Sequence, residues 1–422
     1  MRLSHIGWNL AGLSLPLLVA VVTVPHLISK LGNERFGLLA LAWGLIGYAG
    51  ALDLGIGRAL TQMVSRMRSA NNKAEIPSAI NTAARITLIV GIVGGGVIAL
   101  LSTLEVQNWI KLSQVSSTEL RNSILMLAIA LPAQAMSATY RGVNDAFLNF
   151  KGVSLLRVAL GAINFGGPYL VANYSTNLSM LIATLVVSRL FALWVYRVLA
   201  FRCVENYEIK RDTSHFSPKI AKQLFSFGGW LTLSNVLNPL IGQADRFFIA
   251  YLVSAAAVTS YVIPYEIAAQ SLIVMGAVTT VAFPYFAGLT RDGSRTAEKL
   301  LFKLSISFFL LMMIAAVVLV NIFPLIIRVW LPNSVSLNFQ KIFLVLSFGL
   351  APYAVGTLCV SYLHAKGLFK LTGLLNLIEF PIFALIIFLA ISHYGVYGAA
   401  WAWVARVTID ASLMALLAAN KK

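Results

Sequence analysis

The sequence predicts an all-α polytopic membrane protein of about twelve transmembrane helices in two pseudo-equivalent six-helix bundles, and three observations predict it. The chain of 422 residues is 59% hydrophobic and only 11% charged, with a mean hydropathy of +0.83, whereas a soluble domain is about 25% charged. Its apolar runs match the ~20 residues that a membrane crossing needs. They do not alternate, and only helices or closed barrels satisfy every backbone group in lipid, so unbroken runs select helices. Lys and Arg collect in alternate loops, as they do when they set the orientation of a membrane protein.

In chain order the spans fall at about 6–28, 36–57, 78–101, 121–147, 153–171, 178–199, 224–250, 258–287, 300–322, 340–363, 369–391 and 396–418. The first run, Ile6–Ile28, is too long for a signal-peptide core and lacks a small-residue exit, so it is read as a retained helix. With the N-terminus inside, 21 of the 32 Lys and Arg residues are cytoplasmic, six lie outside and five lie within spans. That split sets both the orientation and the even count, with both termini cytoplasmic. The outer loops are too short to hold a folded domain. The most polar stretch sits halfway along the chain, which divides it into a bundle at 1–200, a cytoplasmic linker at 201–223 and a second bundle at 224–422.

The two halves repeat. Gly7-Trp8 with Pro16-Leu17 matches Gly229-Trp230 with Pro239-Leu240; Lys151-Gly152 matches Lys366-Gly367; Val187-Ser188-Arg189 matches Val404-Ala405-Arg406. The offsets are 222–223, 215 and 217 residues. Six spans per half insert both copies the same way, which predicts a pseudo-axis along the membrane normal with a cavity between the lobes.

Net charge is +17, yet no basic, aromatic-interleaved soluble segment exists that could form a groove for DNA or RNA, so nucleic acid is not an expected partner. Cys203 and Cys359 form no CxxC and no Cys/His cluster, so neither a metal site nor a structural disulfide is expected. No cofactor is implied.

Two stretches carry a resemblance. The first is Leu31-Gly32-Asn33-Glu34-Arg35-Phe36-Gly37-Leu38-Leu39-Ala40-Leu41-Ala42-Trp43, followed by Asp53-Leu54-Gly55-Ile56-Gly57-Arg58. The second is His364-Ala365-Lys366-Gly367, Glu379, then Gly395-Val396-Tyr397-Gly398-Ala399-Ala400-Trp401 through Arg406. The chain resembles the polysaccharide (O-antigen type) flippases of the multidrug/oligosaccharidyl-lipid/polysaccharide exporter superfamily over nearly its whole length. The resemblance implies two six-helix bundles forming a V around a central cavity. It also implies translocation of an undecaprenyl-pyrophosphate-linked oligosaccharide from the cytoplasmic to the periplasmic leaflet of the bacterial inner membrane by alternating access. Lipid-linked oligosaccharide, membrane lipids and other polysaccharide-assembly proteins are the expected partners.

Charges within spans are costly and are functional candidates by default. Arg85, Arg189 and Arg406 are candidates for the substrate pyrophosphate, because a guanidinium stays charged and binds phosphate oxygens with a planar fork. Arg406 and Asp410 also stand at the i,i+4 spacing of a local ion pair, a purely structural alternative. Arg157 is close enough to the inner surface to snorkel. Glu266, Glu379 and Asp410 could take a coupling proton or sodium ion, or simply bond a neighbouring helix. Asp53 is read as a partner of Arg58 or a backbone cap, with Gly55 and Gly57, at a cytoplasmic turn. Trp43, Tyr48, Tyr140, Tyr265, Tyr353, Trp401 and Trp403 could stack on sugar rings or serve as packing and belt residues. Gly94-Gly95-Gly96 reads as a close-packing stretch, not a phosphate cradle.

Two other functions compete. A drug or cation antiporter of the same superfamily needs an acid-dominated cavity, and midplane acids and arginines are here about equal in number. An integral membrane glycosyltransferase or polymerase needs paired acids or a large outer loop. The chain has neither a D-x-D nor a long outer loop. It also has no G-x-x-x-x-G-K-[ST], so energy is expected from an ion gradient or from consumption of product. No catalytic residues are assigned and an enzyme is not expected.

The topology has a direct test. Single cysteines at Asn72, Ser214, Gly293 and Lys366, in a background with Cys203 and Cys359 replaced, should resist an impermeant thiol reagent added outside. Labelling at Gly293 from outside, with the other three silent, would remove the twelve-helix arrangement.

Overall fold

The computed structural model describes residues 3–49, 55–70, 73–104, 109–207, 215–291, 295–331 and 337–420, and every regular element among them is helical. The helices are α1 (Leu3–Ala49), α2 (Ile56–Ser69), α3 (Ile76–Thr103), α4 (Ser117–Ala146), α5 (Phe150–Ala172), α6 (Leu178–Asn206), α7 (Pro218–Leu252), α8 (Ala255–Ser271), α9 (Ile273–Arg291), α10 (Arg295–Trp330), α11 (Leu337–Ser347), α12 (Leu350–Ala365) and α13 (Phe369–Asn420). Nine helical stretches among the described residues are long and apolar enough to cross a membrane.

Two of the helices each hold two spans. Within α1 the chain reverses at Gly32 (φ 72°), and within α13 at Gly395 (φ 58°). Both lie in the left-handed region that glycine adopts without strain. The eighth span is broken at Leu272, between α8 and α9, and the tenth at Phe348-Gly349, between α11 and α12. The expected all-α, polytopic architecture is therefore the observed one among the described residues.

Two boundaries differ from the sequence reading. Residues 58–69, placed in a charged cytoplasmic loop after a span ending at 57, belong to α2. Its Ile56, Ala59, Leu60 and Val64 are buried while Arg58 and Arg66 are exposed, an amphipathic pattern hidden by a high arginine content. Helix α7 begins at Pro218, not 224, with the Ser217 hydroxyl accepting from the Ile220 N–H at 3.4 Å. The chain divides into two compact units, Met1–Leu240 and Ile241–Lys422. The division falls inside α7 because Ile220 and Leu224 are buried in the same core as Ile56, Val143 and Val204 of the first unit.

In the first unit α4 packs against α3 and α6, and α1 against α5. Pro132 inside α4 has no N–H for the Ala128 carbonyl one turn earlier. Gly95 of α3 lies against that carbonyl: a Cβ there would stand 2.6 Å from the Ala128 oxygen, and one on Gly91 would stand 2.6 Å from Pro132 Cα. At the other end, Glu34 holds the segment between α3 and α4. Its carboxylate accepts from the N–H groups of Ser113 (2.9 Å), Gln114 (2.9 Å) and Val115 (2.8 Å), and from the Ser113 hydroxyl. Arg35 pairs with Glu119 at 3.3 Å, and Glu119 accepts from the Leu178 N–H at 2.6 Å. The Glu34-Arg35 pair beside the Gly32 reversal thus ties α1 to the starts of α4 and α6.

In the second unit one face of α12 builds the core. Leu358, Cys359 and Tyr362 are buried with Phe286 and Met414, and the rings of Phe286 and Tyr362 meet edge to face at 5.4 Å.

Adjacent glycines separate packing from propensity. Gly95→Ala should destabilise the protein by about 1–3 kcal/mol through overpacking. Gly96→Ala, whose Cβ meets nothing within 4 Å, should leave thermal unfolding in detergent unchanged or slightly raised. Equal behaviour of the two variants would contradict the α3–α4 contact.

Candidate functional site

Polar groups deep in the helices fall into those whose charge is matched and those whose charge is not. In the second unit, Asp245 and Arg246 of α7 are 2% and 5% exposed. Arg246 donates to Glu266 of α8 at 2.5 Å, and its guanidinium lies 5.4 Å from the ring centre of Tyr265. Asp245 accepts from the Tyr261 hydroxyl at 2.5 Å and from the Arg246 N–H at 2.8 Å. Tyr265 meets Trp403 edge to face at 5.9 Å, which packs both aromatics against the charged cluster. Arg406, in the second arm of α13, donates to Glu379 in the first arm at 2.8 Å and lies over Phe383.

Arg406 therefore does not pair with Asp410, as the i,i+4 spacing suggested. Glu379 faces it from the antiparallel arm, and a contact across the hairpin takes the guanidinium that a local pair would have used. Asp410 makes no ion pair or side-chain hydrogen bond among the described residues. It lines a cavity of ≈ 400 Å³ with Tyr353, Thr357, Ser361 and His364 of α12 and Thr279 of α9.

The first unit handles its deep arginine differently. Arg189 is 8% exposed on the inward face of α6. Its guanidinium donates to the Asn164 side-chain oxygen of α5, and its buried Nε has no partner. The Asn164 backbone carbonyl accepts from Trp43 Nε1 at 3.2 Å. Asn164 precedes Glu379 by 215 residues and Arg189 precedes Arg406 by 217, the offsets of the internal repeat. The two arginines thus occupy repeat-related positions, but one faces a carboxylate and the other a neutral amide.

Other candidates are placed as follows. Arg85 is exposed on α3, on the side that also exposes Ile89 and Ile92. Arg157 is half-buried. Asp53 and Tyr48 lie outside the described side chains, so the Asp53–Arg58 pairing does too. Gly55, the residue before α2, has φ 69°, and a Cβ on Gly142 would stand 2.3 Å from the Gly57 carbonyl oxygen. Both are positions where the backbone itself requires glycine. Tyr140 is a core residue against Phe201, Trp403 is buried, and Trp401 is half exposed and stacked on Phe348. Sequence reasoning missed Asn164, Thr357, Ser361 and His364. The α12 residues were detectable as a polar stripe, since 353, 357, 361 and 364 recur at helical spacing. Asn164 carried no signal except its place in the repeat.

Residues 3–290 match the family model described as polysaccharide biosynthesis protein, more than half of the chain. The chain belongs to the polysaccharide biosynthesis protein family. This family member is 27% identical over 409 residues to a putative O-antigen transporter of Shigella flexneri, covering 96% of this chain and 95% of that one. Its fold is similar to that of a multidrug resistance MATE family transporter of the MOP superfamily in an inward-facing conformation (TM-score 0.77, 12% identity, 97% of both chains). It is also similar to a MOP superfamily transporter from Pyrococcus furiosus (TM-score 0.63, 14% identity, 98% of this chain and 93% of that one). At those identities the likeness establishes the fold.

The Arg406–Glu379 pair gives a test of structural against functional charge. Arg406→Ala should lower membrane abundance by stranding a half-buried carboxylate. Adding Glu379→Gln should restore it, and adding Asp410→Ala should not. Quantitative immunoblots of membranes check this, and rescue by Asp410→Ala instead would reassign the partner.

Proposed function

We propose that the protein is a flippase that carries an undecaprenyl-pyrophosphate-linked oligosaccharide from the cytoplasmic to the periplasmic leaflet of the bacterial inner membrane. One observation carries the reading: the likeness to a putative O-antigen transporter spans 96% of this chain, so it involves the whole helical architecture and not one shared module. Membership of a polysaccharide biosynthesis family and a fold held in common with MOP superfamily transporters support it. Both termini are cytoplasmic, the cycle is one of alternating access, and the protein acts as a transporter, not an enzyme. A proton or sodium gradient, or downstream use of the product, supplies the energy.

The charge pattern gives the pyrophosphate a partner. An arginine near the membrane midplane costs at least ~2.5–3.5 kcal/mol on insertion scales. Arg406 offsets that cost through Glu379, whereas Arg189 has only the amide of Asn164. An unneutralised guanidinium is the group that gains most from an arriving phosphate, since charge-assisted forked bonds strengthen where water is scarce. Arg189 is the first contact for the pyrophosphate, and Arg406 contributes less.

In a deletion strain, radiolabelled lipid-linked repeat units should persist while surface polymer is lost. An incomplete repeat unit would make the protein a transferase and overturn the reading. Complementation with Arg189→Lys should be partial, because the charge stays but the fork is lost. Arg189→Ala should lower polymer export by about tenfold or more at normal membrane abundance. Full export by Arg189→Ala would remove Arg189 from the substrate path.

A further inference from the structure

The cavity within the second unit has features that the transport reading leaves unused. One face of α12 lines it, and Phe283 of α9 together with Val407 and Asp410 of α13 completes the wall. Its volume of ≈ 400 Å³ lies in the lower part of the ~300–1,000 Å³ range of small-molecule pockets. A bare cation held by oxygen ligands at about 2.3–2.6 Å would leave most of that space empty.

The lining groups select an occupant. Asp410 offers four lone-pair sites and makes no ion pair among the described residues, because Arg406, one turn earlier, donates to Glu379. The Ser361 hydroxyl is buried, with the residue 8% exposed, and bonds nothing. An orphaned hydroxyl of this kind costs free energy unless an occupant satisfies it. The Thr357 hydroxyl donates to the Tyr353 and Ala354 carbonyls at 3.1 and 3.0 Å, which leaves it as an acceptor. Tyr353 and Phe283 supply ring faces beside these oxygens. Acceptor-rich polar groups alternating with aromatic faces match a sugar ring, which carries several O–H donors on its edge and C–H groups on its faces.

We propose that this cavity is a subsite for one uncharged sugar unit of the transported glycan, with Asp410 accepting from two adjacent ring hydroxyls. The proposal rests on the transport reading and deepens it. The Ser361 hydroxyl, buried beside the cavity, turns toward the same unit to exchange a hydrogen bond, and Tyr353 and Phe283 line the wall next to it. A sugar bearing a carboxylate is excluded here by repulsion from Asp410, so this aspartate sets specificity by rejection as well as by contact.

The test uses the purified full-length protein in nanodiscs, with saturation-transfer NMR and a panel of uncharged methyl glycosides (glucoside, galactoside and N-acetylglucosaminide) against methyl glucuronide. At least one uncharged glycoside should receive saturation and the glucuronide should not. Asp410→Ala should weaken that binding about tenfold. Ser361→Ala should weaken it measurably at an unchanged melting temperature, since its hydroxyl bonds nothing within the protein, so loss of folding cannot mimic loss of binding. No signal from any glycoside, equal binding in both variants, or binding of the glucuronide would overturn the assignment. So would sodium ion alone raising the melting temperature of the wild type but not of Asp410→Ala, which would make the cavity a cation site. Polymer lost on deletion with unaltered glycoside binding in the variants would sink the subsite alone. Polymer retained on deletion would sink the transport reading, whatever the NMR shows.

Discussion

A charge inside a hydrocarbon slab must find its compensation within the protein, because no water is there to supply it. Much of the interior is arranged around that constraint. Arg246 sits between Glu266 and the ring of Tyr265, Asp245 is held by Tyr261, and Arg406 reaches across a helical hairpin to Glu379. These contacts do more than neutralise. Each joins consecutive helices or the two arms of one hairpin, α7 to α8 and the first arm of α13 to the second, so compensation also holds those neighbours together. The Glu34 carboxylate applies the same logic to backbone, collecting three N–H groups of one segment beside the Gly32 reversal.

The repeat sharpens this. Arg189 and Arg406 stand 217 residues apart, the offset of the internal repeat, and Glu379 faces one while Asn164 faces the other. Losing a carboxylate beside a buried arginine raises the cost of the folded state. On the proposed function, a neutral amide leaves Arg189 available to an anionic ligand, while Glu379 holds the two arms of α13 together.

The fold was legible in the sequence because span length, apolar continuity and loop charge are one-dimensional quantities. The Gly32 and Gly395 reversals and the twelve spans follow from them. Helix α2 was not legible on that basis, since its arginines satisfy the charge rule for a loop and its buried stripe of Ile56, Leu60 and Val64 shows only when read with a 3.6-residue period. The site was legible as a list and not as a set of pairings. Spacing along one helix proposed Arg406 with Asp410, but the second arm of α13 lies against the first, and partners across that hairpin are invisible to local periodicity. Helical spacing shows Ser361 in the polar stripe of α12, but whether its hydroxyl bonds the preceding turn, as most serines in apolar helices do, needs three dimensions.

Each unit, taken by itself, has its own electrostatic character. In the first, Arg85 and Arg189 form no ion pair with a carboxylate among the described residues, and Arg189 donates to Asn164. In the second, both deep arginines are matched by acids and Asp410 is left over. On the proposed function this asymmetry has a use, since the pyrophosphate of a lipid-linked glycan is anionic and dense in acceptors while its sugars are rich in donors. An unmatched guanidinium suits the first, and an unmatched carboxylate among hydroxyls and rings suits the second. Interchanging the two would place phosphate against Asp410 and sugar hydroxyls against a guanidinium that has no lone pair to offer them. On that proposal the two units serve the two parts of the substrate, and the Arg246–Glu266 and Arg406–Glu379 pairs engage the deep arginines of the second unit while Asp410 stays unpaired among the described residues.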